Sequence, residues 1–327
     1  MTLKPRMTTS QGPHAPRSPK SLGSLSVSPL SLGGNVFGWT ADEAESFAVL
    51  DAYVAGGGNF IDTADVYSAW VPGNKGGESE TVIGNWLASR GNRSDVVIAT
   101  KVGAHPDLKG LSAATIKTAV DDSLTRLRTD YIDLYYTHYD DESVEVGEFL
   151  TALDDLVRAG KVREIAASNI SAQRLTESLA FSDREGLARY VALQPHYNLV
   201  SRDTYEGELA DVAARNNVAA VPYYALASGF LTGKYRPGTL TDSARSGAAA
   251  KHLDTDRGLR VLRALDTVAA AHEAEVATVA LAWLAARPTV AAPIASARTV
   301  EQLPALLAVG DLTLTDAELT LLNEASA

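Results

Sequence analysis

The sequence contains no cysteine, and this absence removes a whole group of chemistries from consideration. Disulfide bonds, thiolate nucleophiles and zinc sites built from cysteine are all excluded. The six histidines include no pair at the spacing that lets one helix bind a metal, and no acidic cluster makes up for it. We therefore expect no metal site, and we expect a cytoplasmic location because nothing indicates an oxidising compartment.

Basic residues are also too few for a surface that binds nucleic acid. Lysine and arginine number 29 against 40 acidic residues, which gives a formal net charge of −11. Proteins that neutralise phosphates usually carry a basic stripe, so we expect no nucleic-acid partner. No apolar run reaches the ~20 residues that a membrane-spanning helix needs, and we expect no membrane partner either. A content of 46% hydrophobic and 21% charged residues is typical of a globular protein.

Residues 1–19 differ in composition from the rest of the chain. They hold Lys4, Arg6 and Arg17 among serine, threonine and proline, with no acidic residue and no apolar run of signal-peptide length. This composition predicts a disordered leader, with a basic tail that touches an acidic partner as the alternative. Residues 20–327 are predicted to form a single domain, because barrels of ~250 residues commonly fold as one unit. We expect a monomer, with a homo-oligomer as the alternative.

Short apolar or β-branched runs alternate with longer amphipathic stretches through most of the chain. This alternation predicts parallel strands joined by crossover helices, and therefore the α/β class. Eight units favour a closed (β/α)8 TIM barrel, while an open doubly wound sheet remains the competing architecture because a count of units does not prove closure. The predicted strands are residues 30–35, 59–62, 96–101, 131–138, 162–168, 190–194, 218–224 and 290–296.

Several features outside the strands complete the predicted architecture. Residues 20–27 alternate weakly and predict a short N-terminal hairpin at the barrel floor. Asp42 and Gly56 mark the ends of one helix, Ser112 opens another, and Thr315 opens a C-terminal helix. Residues 233–252 are rich in small residues and predict a long loop after strand seven, which is either a lid over a cofactor or a plain surface loop.

Four polar side chains fall at or just after the carboxyl ends of three neighbouring predicted strands. They are Asp62, Tyr67, Lys101 and His138. Each has an ordinary structural interpretation by itself, such as a helix cap or a satisfied core histidine. Barrels of this kind carry their chemistry at these strand ends, however, and a buried lysine needs a carboxylate partner. Together the four residues therefore predict a catalytic site.

The expected chemistry is proton donation to an oxygen that gains negative charge. Tyrosine, with an ordinary pKa of ~10, is a weak donor at neutral pH. A lysine ammonium at ~4 Å would stabilise the phenolate by about 4 kcal/mol at an effective dielectric of ~20, so we expect Lys101 to lower the pKa of Tyr67. Asp62 would hold the ammonium in place. Neutral His138 would donate a hydrogen bond that orients the substrate oxygen.

These residues resemble the catalytic tetrad of a known enzyme family. Residues 60–67, read as Phe-Ile-Asp-Thr-Ala-Asp-Val-Tyr, together with Lys101 and His138 resemble the tetrad of bacterial aldo-keto reductases, and the similarity extends from about residue 22 to about residue 322. The resemblance implies a β/α barrel that binds a nicotinamide cofactor in extended form. It also implies an NAD(P)H-dependent oxidoreductase that reduces an aldehyde or ketone to an alcohol, with Tyr67 as proton donor.

The resemblance extends to the cofactor site. It implies a carboxamide-binding pair, a stacking tyrosine, a pyrophosphate-facing loop at residues 226–235 and an adenosine end that favours NADPH over NADH. Two positions depart from the family's pattern: Tyr224-Ala225 stands where the family usually has Ser-Pro, and Leu306 replaces an asparagine that often faces the adenine. The expected cofactor-binding residues are Ser168, Asn169, Gln194, Tyr223, Leu226, Gly229, Leu231, Lys234, Ser296, Arg298 and Gln302.

The substrate is expected to be a small carbonyl compound with apolar character, because Trp39, Trp70 and Tyr139 are placed to wall the pocket. This predicts a reductase of broad range, with sugars and secondary metabolites as candidate substrates. Two other functions remain open. One is a Schiff-base aldolase that uses Lys101 as nucleophile, and the other is a regulatory or sensor protein that binds the cofactor with little turnover.

Overall fold

The computed structural model of the chain describes residues 19–238 and 246–327. The predicted leader lies outside the described residues except for Pro19, and so does the middle of the predicted loop after strand seven. The strands are β1 (Lys20–Leu22), β2 (Leu25–Val27), β3 (Ser31–Gly33), β4 (Phe60–Asp62), β5 (Val97–Val102), β6 (Ala104–His105), β7 (Leu108–Lys109), β8 (Ile132–Thr137), β9 (Val162–Ser168), β10 (Tyr190–Gln194), β11 (Ala219–Ala220) and β12 (Ile294–Ala295).

Eight of these strands form one parallel sheet in the order β11-β10-β9-β8-β5-β4-β3-β12. The two ends of the sheet also meet. Ala220 of β11 pairs in parallel with Val290, and the backbone N–H of Ile294 donates to the carbonyl of Pro222 at 2.9 Å. The sheet therefore closes on itself, which confirms the (β/α)8 barrel and excludes the open doubly wound sheet.

Helices alternate with the barrel strands and surround them. They are α1 (Glu43–Ala55), α2 (Glu78–Arg90), α3 (Ala113–Leu127), α4 (Val146–Arg158), α5 (Ala172–Glu185), α6 (Glu208–Arg215), α7 (Ser246–Leu253), α8 (Asp256–His272), α9 (Val276–Ala285), α10 (Leu303–Leu307) and α11 (Asp316–Ala325). The predicted ends are confirmed: Asp42 and Thr315 form capping boxes, Ser112 caps α3 and Gly56 ends α1. Among the described residues, no single helix is long and apolar enough to cross a membrane, although α8 and α9, which meet at 98°, pass that test as a pair.

The barrel has an inner and an outer apolar layer, and strand periodicity decides which residues enter each. In β5, Val97 and Ala99 belong to the inner cluster, whereas Ile98 and Val102 pack outward against the helices. Alternation along a strand puts Lys101 on the same side as Val97 and Ala99, inside the barrel. The predicted hairpin β1–β2 closes the floor, because its apolar side chains join the same inner cluster. The site therefore lies at the opposite, open end.

Some predicted elements are wrong in extent. Strand seven, predicted as residues 218–224, shortens to β11, and strand eight, predicted as 290–296, shortens to β12. Proline lacks a backbone donor, and Pro222 and Pro293 interrupt the ladder at these two strands. The loop predicted over residues 233–252 is also wrong in part, because its last residues belong to α7, in which Ala249 is fully buried. The small hairpin β6–β7 was not predicted.

Candidate active site

The strand ends bring the four predicted catalytic side chains together. Strand β4 ends at Asp62, β5 carries Lys101, and His138 directly follows β8; these three strands are neighbours in the barrel. The Lys101 Nζ donates to Asp62 Oδ2 at 2.7 Å and to the Tyr67 Oη at 2.9 Å. The Tyr67 hydroxyl itself lies 3.3 Å from Asp62 Oδ2, and its ring centroid lies 6.2 Å from that of His138.

The ammonium group of Lys101 is completely buried and fully hydrogen-bonded. Besides Asp62 and Tyr67 it donates to the backbone carbonyl of Thr63 at 2.7 Å, so all three of its N–H bonds are used. Burial lowers the pKa of Lys101, while the carboxylate of Asp62 raises it. A nucleophilic amine would have to break these bonds, so this geometry argues against a Schiff base at Lys101.

The expected lowering of the Tyr67 pKa is wrong in this structure. Burial of the phenol raises its pKa well above the ordinary value, and the charge of Asp62 raises it further. The physical reason is that the phenol is removed from water, and that the carboxylate of Asp62 faces the same hydroxyl at 3.3 Å. Tyr67 is therefore protonated throughout the neutral range.

His138 is neutral in the same range. Its pKa lies well below the ordinary value, because burial penalises the charged ring and because the Lys101 ammonium repels it. The ring stacks on Tyr139 with centroids 4.9 Å apart. Its Nδ1 is buried and has no hydrogen-bond partner among the residues that the structure describes. A neutral imidazole keeps one N–H and one acceptor nitrogen, as the expected orienting role requires.

Gln194 was expected at the cofactor, but its amide also contacts the tetrad. Its Nε2 donates to Asp62 Oδ1 at 2.8 Å, so one oxygen of this carboxylate faces Gln194 and the other faces Lys101. Sequence reasoning missed this contact because Gln194 lies 132 positions further along the chain. The only available signal was that both residues end barrel strands.

The other residues expected at the nicotinamide form one connected network beside His138. The Tyr223 hydroxyl donates to Asn169 Oδ1 at 2.8 Å, and Asn169 Nδ2 donates to the carbonyl of His138 at 2.8 Å. The hydroxyl of Ser168 donates to the carbonyl of Gln194. The structure therefore brings this group to the tetrad, with the half-buried ring of Tyr223 at its edge.

The predicted pyrophosphate loop is a tight turn after β11. Residues 227–229 all have positive φ, and Gly229 at 93° is the glycine among them. A Cβ at Gly229 would lie 3.5 Å from Lys234 Cε, so the exposed Lys234 passes over this turn. Leu226 is half-buried, whereas Leu231 is buried in the core and its N–H donates to the carbonyl of Leu226.

The predicted adenosine end lies where β12 meets β3. The Ser296 hydroxyl donates to Asn35 Oδ1 at 2.6 Å, and the backbone N–H of Arg298 donates to Gln302 Oε1 at 2.8 Å. The side chain of Arg298 is exposed and forms no ion pair with another described residue. Leu306, which stands where the family often has an asparagine that faces the adenine, is buried. Its side chain therefore provides no exposed surface for a ligand. Asn35 was not predicted as a site residue, although it is the last residue of the first predicted strand.

The predicted substrate walls also lie at this end of the barrel. Trp39 and Trp70 pack edge to face with centroids 5.5 Å apart, and Trp70 packs on the Tyr67 ring at 6.2 Å. Tyr139 covers His138. Tyr224 is a further aromatic residue here that sequence reasoning did not place in the site. The feature of the sequence that pointed to Tyr224 was that Tyr224-Ala225 departs from the family's usual Ser-Pro.

A buried acidic cluster lies behind the tetrad, between the barrel and the helices. Glu80 accepts hydrogen bonds from Thr100 at 2.5 Å and from Arg126 at 2.6 Å. Asp65 is only 1% exposed, and neither of its carboxylate oxygens has a hydrogen-bond partner among the described residues. Burial and the nearby Glu80 raise the pKa of Asp65 to about 8. Asp65 is therefore mostly protonated at neutral pH.

Comparison with known proteins places this geometry in a family. The model described as Aldo/keto reductase family matches residues 29–327. Protein tas of Escherichia coli (strain K12) is 34% identical over 308 residues, which cover 86% of this chain and 88% of that protein. Norsolorinic acid reductase B of Aspergillus parasiticus is 33% identical over 321 residues, 92% of this chain and 81% of that protein. A probable voltage-gated potassium channel subunit beta of Oryza sativa subsp. japonica is 34% identical over 296 residues, 87% and 88% of the two chains.

Proposed function

The chain belongs to the aldo/keto reductase family, and we propose that it reduces an aldehyde or ketone to an alcohol with hydride from NADPH, with Tyr67 as the proton donor. Family membership makes the chain an NAD(P)H-dependent oxidoreductase of carbonyl compounds. The observation that carries the finer proposal is the position of the buried Lys101 ammonium, 2.9 Å from the Tyr67 hydroxyl and 2.7 Å from Asp62.

The residues around the barrel mouth fit an extended dinucleotide. Tyr223 offers a ring for stacking, Ser168 and Asn169 offer a hydroxyl and an amide, and the exposed Lys234 beside the turn at Gly229 offers a charge for a phosphate. Bound at these residues, the cofactor supplies the hydride for the carbonyl carbon. The exposed Arg298 favours the 2′-phosphate of NADPH over the ribose hydroxyl of NADH, because a guanidinium binds a phosphate by charge-assisted hydrogen bonds.

The division of labour within the tetrad follows from its protonation states. Tyr67 carries its proton at neutral pH, as its raised pKa requires, and it gives that proton to the carbonyl oxygen as the alcohol forms. The Lys101 ammonium stabilises the phenolate that remains, and a buried charge acts more strongly than a solvated one. Asp62 holds the ammonium in place. Neutral His138 donates a hydrogen bond to the same carbonyl oxygen and orients it.

The walls around the tetrad favour a carbonyl compound with apolar character. Trp39, Trp70 and Tyr139 provide aromatic surface next to the reacting groups. The similarity to norsolorinic acid reductase B supports reduction as the reaction, because that name describes a reductase. We therefore propose a broad aldehyde and ketone reductase that prefers partly apolar substrates.

A second candidate is a regulatory protein that binds the cofactor with little turnover. One similar protein favours it, because its name describes a subunit of a channel. This protein is the probable voltage-gated potassium channel subunit beta, which is 34% identical to this chain over 296 residues. Tight NADPH binding with no oxidation of NADPH by any carbonyl would support this candidate.

The test is the oxidation of NADPH, and separately of NADH, by aromatic, aliphatic and sugar carbonyl compounds. We expect turnover with several aromatic and aliphatic carbonyls and a higher kcat/KM with NADPH than with NADH. Turnover of one small hydrophilic carbonyl alone would contradict the proposed substrate range. Equal kcat/KM values with the two cofactors would contradict the proposed role of Arg298.

A further inference from the structure

Tyr224 presents an exposed ring from a backbone conformation that a bulky residue rarely adopts. Its φ is +53°, in the left-handed region, and 53% of the residue is exposed. Residues other than glycine are held in this region only where the surrounding structure determines the backbone, and such positions are frequent at binding sites. The conformation of Tyr224 therefore needs a cause.

The backbone of Tyr224 is fixed by a buried asparagine. Asn198 Nδ2 donates to the carbonyl of Tyr224 at 3.0 Å, and the N–H of Ala227 donates to the same carbonyl at 2.7 Å. Asn198 is itself completely buried, and its Oδ1 accepts from the N–H of Val200 at 2.9 Å. These bonds hold the backbone, while the ring stays accessible.

The ring of Tyr224 lies beside the residues expected at the nicotinamide. It packs on Tyr223 with centroids 5.2 Å apart and against the edge of His196 at 5.3 Å. Tyr223 is hydrogen-bonded to Asn169, which is in turn hydrogen-bonded to the carbonyl of His138. The Tyr224 ring is therefore connected to His138 of the tetrad through Tyr223 and Asn169.

Exposed aromatic rings of the described chain are concentrated at this one place. Of its five exposed large hydrophobic residues, Val300 and Leu321 are single aliphatic side chains, each 38% exposed. The other three are Trp70 at 49%, Tyr139 at 53% and Tyr224 at 53%. They come from the loops after β4, β8 and β11: Trp70 packs on Tyr67, Tyr139 on His138, and Tyr224 on Tyr223. Clustered exposed aromatic surface indicates a binding site for an apolar partner.

We propose that the Tyr224 ring forms a third wall of the substrate site and selects compounds whose carbonyl group is attached to a flat aromatic ring. This inference rests on the proposed function and names its substrate class. A planar ring can lie against the rings of Trp70, Tyr139 and Tyr224. A puckered aliphatic ring of the same size contacts these rings with fewer atoms. An aromatic contact of this kind changes affinity about two- to tenfold. The serine that the family usually has here would provide no such surface.

The test compares two ketones of nearly equal size, acetophenone and cyclohexyl methyl ketone, on wild type, Tyr224→Phe and Tyr224→Leu. We expect wild type and Tyr224→Phe to prefer acetophenone. In Tyr224→Leu, kcat/KM for acetophenone falls about fivefold, while that for cyclohexyl methyl ketone stays within about twofold. A fall of the same size for both ketones, or none for either, would overturn the inference while leaving carbonyl reduction intact.

A binding measurement separates this inference from the proposed function. Naphthalene-2-carboxamide is planar, uncharged and not reducible, and its affinity for the complex with NADP⁺ can be followed without turnover. We expect its Kd to rise several-fold in Tyr224→Leu and to stay unchanged in Tyr224→Phe. If wild type reduces neither ketone but shows this pattern, the proposed function fails and the aromatic wall stands. If Tyr224→Leu instead weakens only NADPH binding, the ring serves the cofactor and the inference fails.

Discussion

The side-chain amide of Gln194 donates a hydrogen bond to Asp62 Oδ1 at 2.8 Å, inside a barrel whose other contacts to this carboxylate come from Lys101 and Tyr67. Gln194 is 2% exposed, so water has little access to replace it. The amide therefore fixes the carboxylate that in turn fixes the ammonium of Lys101. This makes Gln194 a positioning residue for the tetrad as well as an expected neighbour of the cofactor.

Replacing Gln194 with leucine should disturb the tetrad, because it removes the amide while the volume of the side chain stays similar. The variant leaves one oxygen of a buried carboxylate without its donor, which costs about 1–3 kcal/mol of unfolding free energy. We expect kcat to fall about tenfold, with a smaller change in KM, because the position of Lys101 becomes less defined. Urea unfolding and steady-state kinetics check the two effects, with Gln173→Leu on the surface helix α5 as the control. Unchanged kcat with a raised Kd for NADPH would show that Gln194 serves the cofactor alone.

The buried carboxyl of Asp65 predicts a pH-dependent stability. Its pKa is about 8 in the folded chain against an ordinary value of 3.8, so between these values the folded state holds a proton that the unfolded state has released. The free energy of unfolding should therefore fall as pH rises from about 4 to about 8, by at most roughly 1.4 kcal/mol per pH unit from this group.

Asp65→Asn removes this titration while keeping the shape of the side chain. We expect the variant to unfold at higher urea concentration than wild type at about pH 8, and the difference to shrink as pH falls towards about 4. Asp107→Asn, at an exposed position, serves as the control. A stability difference that is the same at both pH values would contradict the raised pKa of Asp65.

The proposed preference for NADPH predicts a selective effect at Arg298. Loss of a charge-assisted contact to a phosphate should raise the Kd for NADPH about tenfold or more in Arg298→Ala, and leave the Kd for NADH nearly unchanged. Arg298→Lys keeps the positive charge but loses the bidentate hydrogen bonding of the guanidinium, so we expect an intermediate Kd for NADPH. Titration of cofactor fluorescence measures all three proteins. Equal weakening of both cofactors would place Arg298 away from the 2′-phosphate.

Features that depend on local sequence were predicted well. The caps at Asp42, Ser112 and Thr315 each need one side chain and a nearby backbone N–H, and all three are present in the structure. Strands β9 and β10 have the predicted ends, and in both a buried apolar stretch runs up to a polar residue, Ser168 or Gln194, at the carboxyl end. The shortening of β11 and β12 had a local signal in Pro222 and Pro293 that the apolar pattern concealed.

Features that depend on distances between remote residues were not predictable. The sequence placed Lys101 near Tyr67, but the raised pKa of Tyr67 follows from the burial of its phenol and from Asp62, which faces the same hydroxyl at 3.3 Å. The contact between Gln194 and Asp62, and the buried position of Leu231, likewise follow only from the closed barrel and the packed turn. Tyr224 was recognised as a departure from the family's pattern, but its exposed ring is a property of the folded backbone.

The central claim is that Tyr67 donates the proton, and Tyr67→Phe tests it most directly because this change removes the hydroxyl and keeps the ring. The measurement compares kcat for reduction of an aromatic ketone and the Kd for NADPH in wild type and variant. The account predicts that kcat falls at least a hundredfold, the lower end of what general acid catalysis contributes, while the Kd for NADPH changes by less than about twofold. Turnover by Tyr67→Phe at the wild-type rate would contradict the account.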